Sequence, residues 1–311
     1  MKKFISPILI FLAGVTWGLS CIFVRSLRTQ GFTNNEITFL RFLFSAIAIC
    51  LLYLIIDRKS FKIKLKNSWI FILSGALGMF LTSLCYFATQ YNASVAIACI
   101  LMYTAPIFVT ILARIFFKEK VTLVKVICLI CTFGGIILSS LDGNVGNLTF
   151  PVFMVGLGSG LFYASYSIFS RFAFKKGFTS ENILIYSFIF GAIASSFTVD
   201  YNHLFKVIVD LNYNLTNVIG LVLLATVTPY TLYTIGLKGI DTGKASIIAC
   251  VEIVAASVVG MILYSEFPSL LAVIGLIIVI ASVVALNLIP QKQDNLGKKI
   301  YEEKRNWWKL L

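Results

Sequence analysis

Long apolar stretches alternate with short polar connectors along almost the whole chain. Ten such stretches run over approximately 5–24, 35–56, 68–89, 94–117, 121–140, 150–174, 181–199, 216–237, 244–265 and 268–289. Each is close to the ~20 residues that a helix rising about 1.5 Å per residue needs to cross hydrocarbon. The connectors are too short to fold separately, so the pattern predicts an all-α membrane protein of ten transmembrane helices in one body. Composition agrees: 59% of the 311 residues are hydrophobic and 13% are charged. A soluble domain of this length has no core able to hide that much apolar side chain.

Charge then orients the predicted spans. With the N-terminus in the cytoplasm and ten crossings, twenty of the 26 Lys and Arg residues fall on the cytoplasmic side. They are Lys2, Lys3, the Arg58–Lys66 cluster, Lys118, Lys120, Arg171, Lys175, Lys176, Lys238, Lys244 and the basic tail. Arg114 and Lys125 lie near cytoplasmic helix ends, Arg25, Arg28 and Lys206 fall in outer loops, and Arg41 lies inside a span. This bias predicts cytoplasmic termini in a multi-pass plasma-membrane protein. The net charge of +13 therefore reports orientation and contact with anionic membrane lipid, and no soluble basic face exists for nucleic acid.

The second half of the chain echoes the first. At an offset of 147, Tyr86 meets Tyr233, Ala98 meets Ala245, Ile100 meets Ile247, Ile115 meets Ile262 and Glu119 meets Glu266. At 146, Trp17 meets Tyr163, Phe23 meets Phe169 and Arg25 meets Arg171. Ordered matches at near-constant spacing indicate an internal repeat. The expected division is a first repeat over 1–145, a second over 146–290, and a basic cytoplasmic tail over 291–311. Five helices is an odd number, so the repeats enter the membrane from opposite sides and must be inverted. The turn Lys118-Glu119-Lys120 carries two lysines while its echo Ser265-Glu266-Phe267 carries none, as inversion requires.

Trp17-Gly18, Arg41-Phe42, Pro106 followed by Glu119, and Glu252-Ile253 followed by Glu266 form a pattern that resembles the drug/metabolite transporter superfamily, specifically its EamA-type ten-helix members. Ile253 stands where that family commonly has proline, which removes a helix breaker from one repeat. The resemblance implies alternating access, with substrate near the midplane between helices 1–4 and 6–9 and helices 5 and 10 outside them. It also implies export, and it leaves the substrate among amino acids, sugars, drugs and other metabolites.

Glu252 is the sharpest candidate for substrate binding. A carboxylate near the middle of a span must face a polar cavity or a partner, because exposure to lipid costs several kcal/mol. It suits a substrate amine or a coupling proton; the competing reading is a structural carboxylate bridging helices. Arg41 lies about 10 Å deep and Glu252 about 20 Å below the same surface, a gap that a bound zwitterion would span. Arg41 could instead snorkel or cap a helix end. Trp17, Tyr86, Tyr103, Tyr163 and Tyr233 form an aromatic set, with Tyr166, Tyr186 and Tyr230 as further members. Tyrosine hydroxyls within hydrocarbon need partners, so several should line a wet cavity suited to an amphipathic or cationic ligand.

Backbone and reactive residues complete the reading. Pro106 is the expected hinge, while the pairs Gly14/Gly18, Gly156/Gly160, Gly75/Gly78 and Gly134/Gly135 suit close helix packing. Cys128 and Cys131 sit within one span and lack the neighbours of a metal or redox site, and no nucleotide-binding motif or cofactor requirement appears. The only histidine, His203, falls in an outer loop. The expected activity is secondary-active transport of a small amphipathic metabolite, with proton coupling and homodimerisation left open. A membrane-embedded enzyme and a transport-dead scaffold are the alternatives, and the first lacks a catalytic set at depth.

Overall fold

Within hydrocarbon, each backbone amide and carbonyl needs a partner inside the protein, and a run of apolar residues meets that demand by coiling. A computed structural model describes residues 2–63, 65–140, 148–210 and 215–288. The spans are α1 Ile5–Thr29, α2 Asn34–Ile56, α3 Leu65–Asn92, α4 Val95–Phe117, α5 Leu123–Ser140, α6 Phe150–Lys175, α8 Thr216–Leu237, α9 Thr242–Tyr264 and α10 Leu270–Leu288. The remaining helix, α7, covers Ser180–Ser196 and then bends by 101° into Tyr201–Val209. The expected division at 145/146 and the tail at 291–311 fall outside the described residues.

Two boundaries differ from the sequence expectation. Helix α1 continues to Thr29, so Arg25 and Arg28 are helical residues and not loop residues. Arg25 can be held there because its guanidinium pairs with Glu266 and lies 4.4 Å from the Tyr264 ring centroid. The expected outer loop after α7 is also largely helical, and His203 lies within it. His203 Nδ1 sits 2.7 Å from Glu36 Oε1, tying the bent segment to the start of α2.

The two halves are built alike in their local backbone. After α1, Gly31 adopts φ +94°, and after α6, Gly177 adopts φ +85°. Both turns close with the third residue beyond the helix bonding back five positions: Phe32 to the Leu27 carbonyl and Phe178 to the Ala173 carbonyl. Capping boxes follow at the same offset of 146, Thr33 with Glu36 opening α2 and Thr179 with Asn182 opening α7. Helices α4 and α9 both end in a left-handed residue, Lys118 at φ 57° and Ser265 at φ 55°. The next residue then bonds back in both, Glu119 to Ala113 and Glu266 to Gly260.

Helix pairing repeats as well. A Cβ built on Gly14 of α1 would meet the Ala249 carbonyl of α9 at 2.8 Å. One built on Gly160 of α6 would meet the Leu101 carbonyl of α4 at the same distance. Glycine is what permits these backbones to touch, giving two close pairs, α1 with α9 and α6 with α4. Gly75 and Gly78 bring α3 against α7 and α6, where a Cβ on Gly78 would lie 2.7 Å from the Tyr166 nitrogen. Helices α5 and α10 meet each other through Gly135 and Gly275. Gly134, expected to share this role, has nothing within 4 Å of its Cβ direction and faces away.

The contrast between these glycines is measurable. Gly78→Leu overpacks a backbone contact and should cost at least about 1–3 kcal/mol. Gly134→Ala should be neutral or stabilising by up to about 1 kcal/mol. Thermal midpoints of the detergent-purified variants check this, and equal losses in both would contradict the packing described.

Candidate functional site

Five helices lose regular geometry near mid-depth, α1 among them at Leu19, and the candidate residues gather there. Helix α4 breaks at Tyr103–Thr104, just before Pro106, whose missing amide fits the first turn of the resumed helix. Helix α9 breaks at Cys250, which is equivalent to Tyr103 at the repeat offset of 147. The break therefore occurs in both repeats, although Ile253 replaces the second proline; tightened bonds from Cys250 to Ile247 and from Ile253 to Cys250 make the step without it. Backbone breaks thus stand at equivalent places in both repeats, beside Pro106 and at Cys250. Tyr103 and Cys250 pack in one buried cluster, so the two breaks meet. Helices α3 and α8 each carry a π-helical stretch, Leu73–Leu81 and Leu223–Val227, a form that is rare and concentrated at functional sites.

Glu252 follows the α9 break and is half-buried within the bundle. Tyr103 is its hydrogen-bonding neighbour. Tyr86, Tyr163 and Tyr230 stand within electrostatic range of the same carboxylate. Arg41 lies within range as well. No salt bridge joins Arg41 and Glu252; the Arg41 Nε donates to Thr226 Oγ1 at 2.9 Å, inside the π-helical part of α8. Thr226 in turn donates to the Leu221 carbonyl, an acceptor left over by the widened helix. The guanidinium is thus anchored through Nε.

Beside this polar group stands a ring of aromatic side chains. Trp17 is 5 % exposed and lies 6.5 Å from Tyr163, 5.2 Å from Tyr230 and 5.4 Å from Tyr233, centroid to centroid. Tyr166 stacks on Tyr230 at 5.0 Å. The hydroxyls are satisfied by small polar residues: Tyr166 with Thr234 at 2.6 Å, and Tyr233 with Ser167 at 2.7 Å. The cavity these residues enclose, with Gly78 on one wall, is about 10 Å³, room for one water. Tyr86 is held apart from the ring by its contact with Cys99 at 3.3 Å.

Trp17, Tyr163 and Tyr233 thus belong to the aromatic ring, and Tyr86, Tyr103 and Glu252 to the polar group, with Tyr163 common to both. Tyr186 lies elsewhere, donating to the Phe61 carbonyl at the opposite end of α2. Thr226, Thr234, Ser167 and Cys99 were not evident in the sequence, since a hydroxyl or thiol in an apolar run gives no sign of which aromatic it will meet. Among the described residues, no group of three or more His, Cys, Asp or Glu is spaced to hold a metal ion.

The two ends of the bundle differ. Where α1, α2, α3 and α4 meet, a vestibule of about 560 Å³ opens between Arg28, Asn34, Gln90, Tyr91, Ser94, Val95 and Ala96. Tyr86, of the Glu252 group, lies one helical turn from Gln90 of the vestibule wall. At the lysine-rich end the path is shut. Glu119 is 7 % exposed there and accepts from Thr242 N at 2.9 Å, Thr242 Oγ1 at 2.7 Å and Gly243 N at 3.3 Å. Arg171 donates from Nε to Thr242 Oγ1 at 2.9 Å and from a terminal nitrogen to the Ile240 carbonyl. Lys125, 1 % exposed, pairs with Asp241 at 3.5 Å.

Comparison with known proteins accords with this architecture. The pattern of the EamA-like transporter family matches residues 4–141 and again 150–288. A relative from Archaeoglobus fulgidus, described as an uncharacterized transporter, is 27% identical over 285 residues, 88% of this chain and 93% of that protein. A solved crystal structure shares the fold with a TM-score of 0.72 at 15% identity, covering 90% of this chain and 95% of the other. Two successive matches to one family, each over five membrane helices, show that the chain belongs to the EamA-like transporter family and is a multi-pass membrane transporter.

Proposed function

We propose that this transporter is a secondary-active carrier, operating by alternating access, that exports small amphipathic metabolites such as amino acids or related compounds. The observation that carries the reading is Glu252: a half-buried carboxylate residue at a broken helix, with Tyr86, Tyr103, Tyr163 and Tyr230 around it, in a bundle that carries a cavity at one end and a clamp at the other. A substrate amine would meet Glu252 and Tyr103. A substrate carboxylate would meet the Arg41 guanidinium, and an apolar or aromatic side chain would enter the Trp17–Tyr163–Tyr233 ring. The space within that ring is about 10 Å³, room for no more than one water, so its rings must part to admit the side chain.

The lysine-rich end is assigned to the cytoplasm on the positive-inside bias, which puts both termini there and suits a plasma-membrane location. The described conformation then faces outward with its cytoplasmic side latched, which is the state from which an exporter discharges. Binding energy drives transport only if substrate favours the exchange of one state for the other.

Two outcomes check this reading in proteoliposomes loaded with candidate amino acids. Glu252→Gln should lower transport at least about tenfold, matching the loss of one charge-assisted contact, with insertion and thermal midpoint near those of the parent. Unchanged rates would remove Glu252 from the mechanism. Arg41→Ala should raise KM about tenfold for carboxylate-bearing substrates and much less for their amides. Equal effects on both would leave Arg41 as a helix tie to Thr226 alone.

A further inference from the structure

The inverted repeats make each half a template for the state the other half does not presently occupy. At the lysine-rich end, the carboxylate ending α4 and the guanidinium of α6, Glu119 and Arg171, lie 3.7 Å apart, and together they seize the first turn of α9 at Thr242 and Gly243. Their repeat equivalents are Glu266, ending α9, and Arg25 of α1. These are also paired, by two hydrogen bonds of 2.7 and 2.9 Å. That pair, however, holds no helix end: its side chains are 48 and 53 % exposed. The first turn of α4 that it would be expected to seize, Ser94 through Ala96, instead forms a wall of the 560 Å³ vestibule.

We infer that Glu266 and Arg25 form the second of two alternating latches, docking on the Val95 and Ala96 amides of α4 when the vestibule closes, as Glu119 and Arg171 dock on Thr242 and Gly243 now. The inference rests on the alternating-access reading and adds the residues that define its two end states. The parts that move are given by the glycine contacts. Helix α1 is bound to α9 through Gly14 and Gly18, and α6 to α4 through Gly156 and Gly160. Each latch therefore spans the two pairs: the α4/α6 pair grips the start of α9, or the α1/α9 pair grips the start of α4. Rocking one pair against the other would release the first contact as it makes the second. The receiving turns are comparable, since first-turn amides of any helix lack intrahelical acceptors. Ser94 Oγ already accepts from Ile97 N, which leaves the Val95 and Ala96 amides, in a turn that lines the vestibule, without that cap. Arg25 holds the Glu266 carboxyl below the usual carboxylate range, so it is charged and ready to accept from them.

The latches are unequal. Thr242 Oγ1 bridges Arg171 to Glu119, accepting from one and donating to the other. Its counterpart is Val95, which has no hydroxyl. The Lys125–Asp241 pair that braces the lysine-rich latch corresponds to Ala272 and Ser94, which cannot form an ion pair. The lysine-rich latch is thus the stronger, and the ligand-free protein rests with its vestibule open.

Labelling of a Gln90→Cys thiol in the vestibule by an impermeant maleimide reads this balance without substrate. Labelling of the parent protein in parallel is subtracted for its native cysteines. Glu119→Gln should slow labelling about tenfold, because it weakens the latch that keeps the vestibule open. Val95→Thr, which supplies the missing hydroxyl, should slow it in the same direction. Adding Glu266→Gln to Glu119→Gln should restore fast labelling, an outcome that misfolding of the single variant could not give. Unchanged labelling in Glu119→Gln, or a loss that Glu266→Gln fails to relieve, would overturn the latch exchange while leaving the Glu252 transport test untouched. Failure of Glu252→Gln to impair transport would leave this conformational readout standing in turn.

Discussion

The structure depends on the cost of an unpaired backbone group in hydrocarbon. A helix inside a bilayer cannot be interrupted unless the freed amides and carbonyls are met by protein or by a polar cavity. Interruptions at Tyr103–Thr104 and Cys250, with π-helical stretches in α3 and α8, therefore fix where the protein is polar inside. Thr226 shows how the demand is met: its hydroxyl takes a carbonyl stranded by the widened turn and accepts from Arg41. A defect in helix geometry becomes the mount for a charge.

Much of this was legible in the sequence because the signals were long or periodic. Ten apolar runs gave the spans, and weak matches at offsets of 146 and 147 gave the repeat. A sharper signal went unused: Gly31-Phe32-Thr33 recurs as Gly177-Phe178-Thr179, and it encodes the same turn and cap in both halves. Glu252, Arg41 and the aromatics stood out since charge and hydroxyl groups at depth need company. Their partners did not stand out, because Thr226, Thr234 and Ser167 look like ordinary small residues until a neighbouring helix brings a ring or a guanidinium to them. Proline was a poor guide to the α9 break, where tightened local hydrogen bonds do the same job beneath Ile253. Arg25 and Arg28 were misplaced for a related reason: a pattern of hydropathy ends a span at the first charge, whereas a helix continues wherever that charge finds a partner.

Symmetry in the chain and asymmetry in the fold belong together. Backbone turns, caps and left-handed ends agree between the halves almost residue for residue, yet the carboxylates at Glu119 and Glu266 meet different surroundings. Local structure is set by local sequence and repeats faithfully. Long-range contacts are set by the tilt of one helix pair on the other, and inversion ensures that a single tilt cannot satisfy both ends at once. The difference between the two ends therefore lies in how the halves are set against each other more than in how each is built.

The small size of the aromatic chamber has an electrical consequence. Water-filled space conducts, so a transmembrane voltage falls mainly across the part of the path that water does not fill. Here that part is the stack from Trp17 to the Glu119 clamp, whose chamber has room for one water. If the proposed exchange of states opens the lysine-rich end instead, the insulating layer moves, and a charge fixed at mid-depth crosses part of the field at about 2.3 kcal/mol per charge for each 100 mV. Transport by such a carrier would then sense voltage even where its charged groups hardly move.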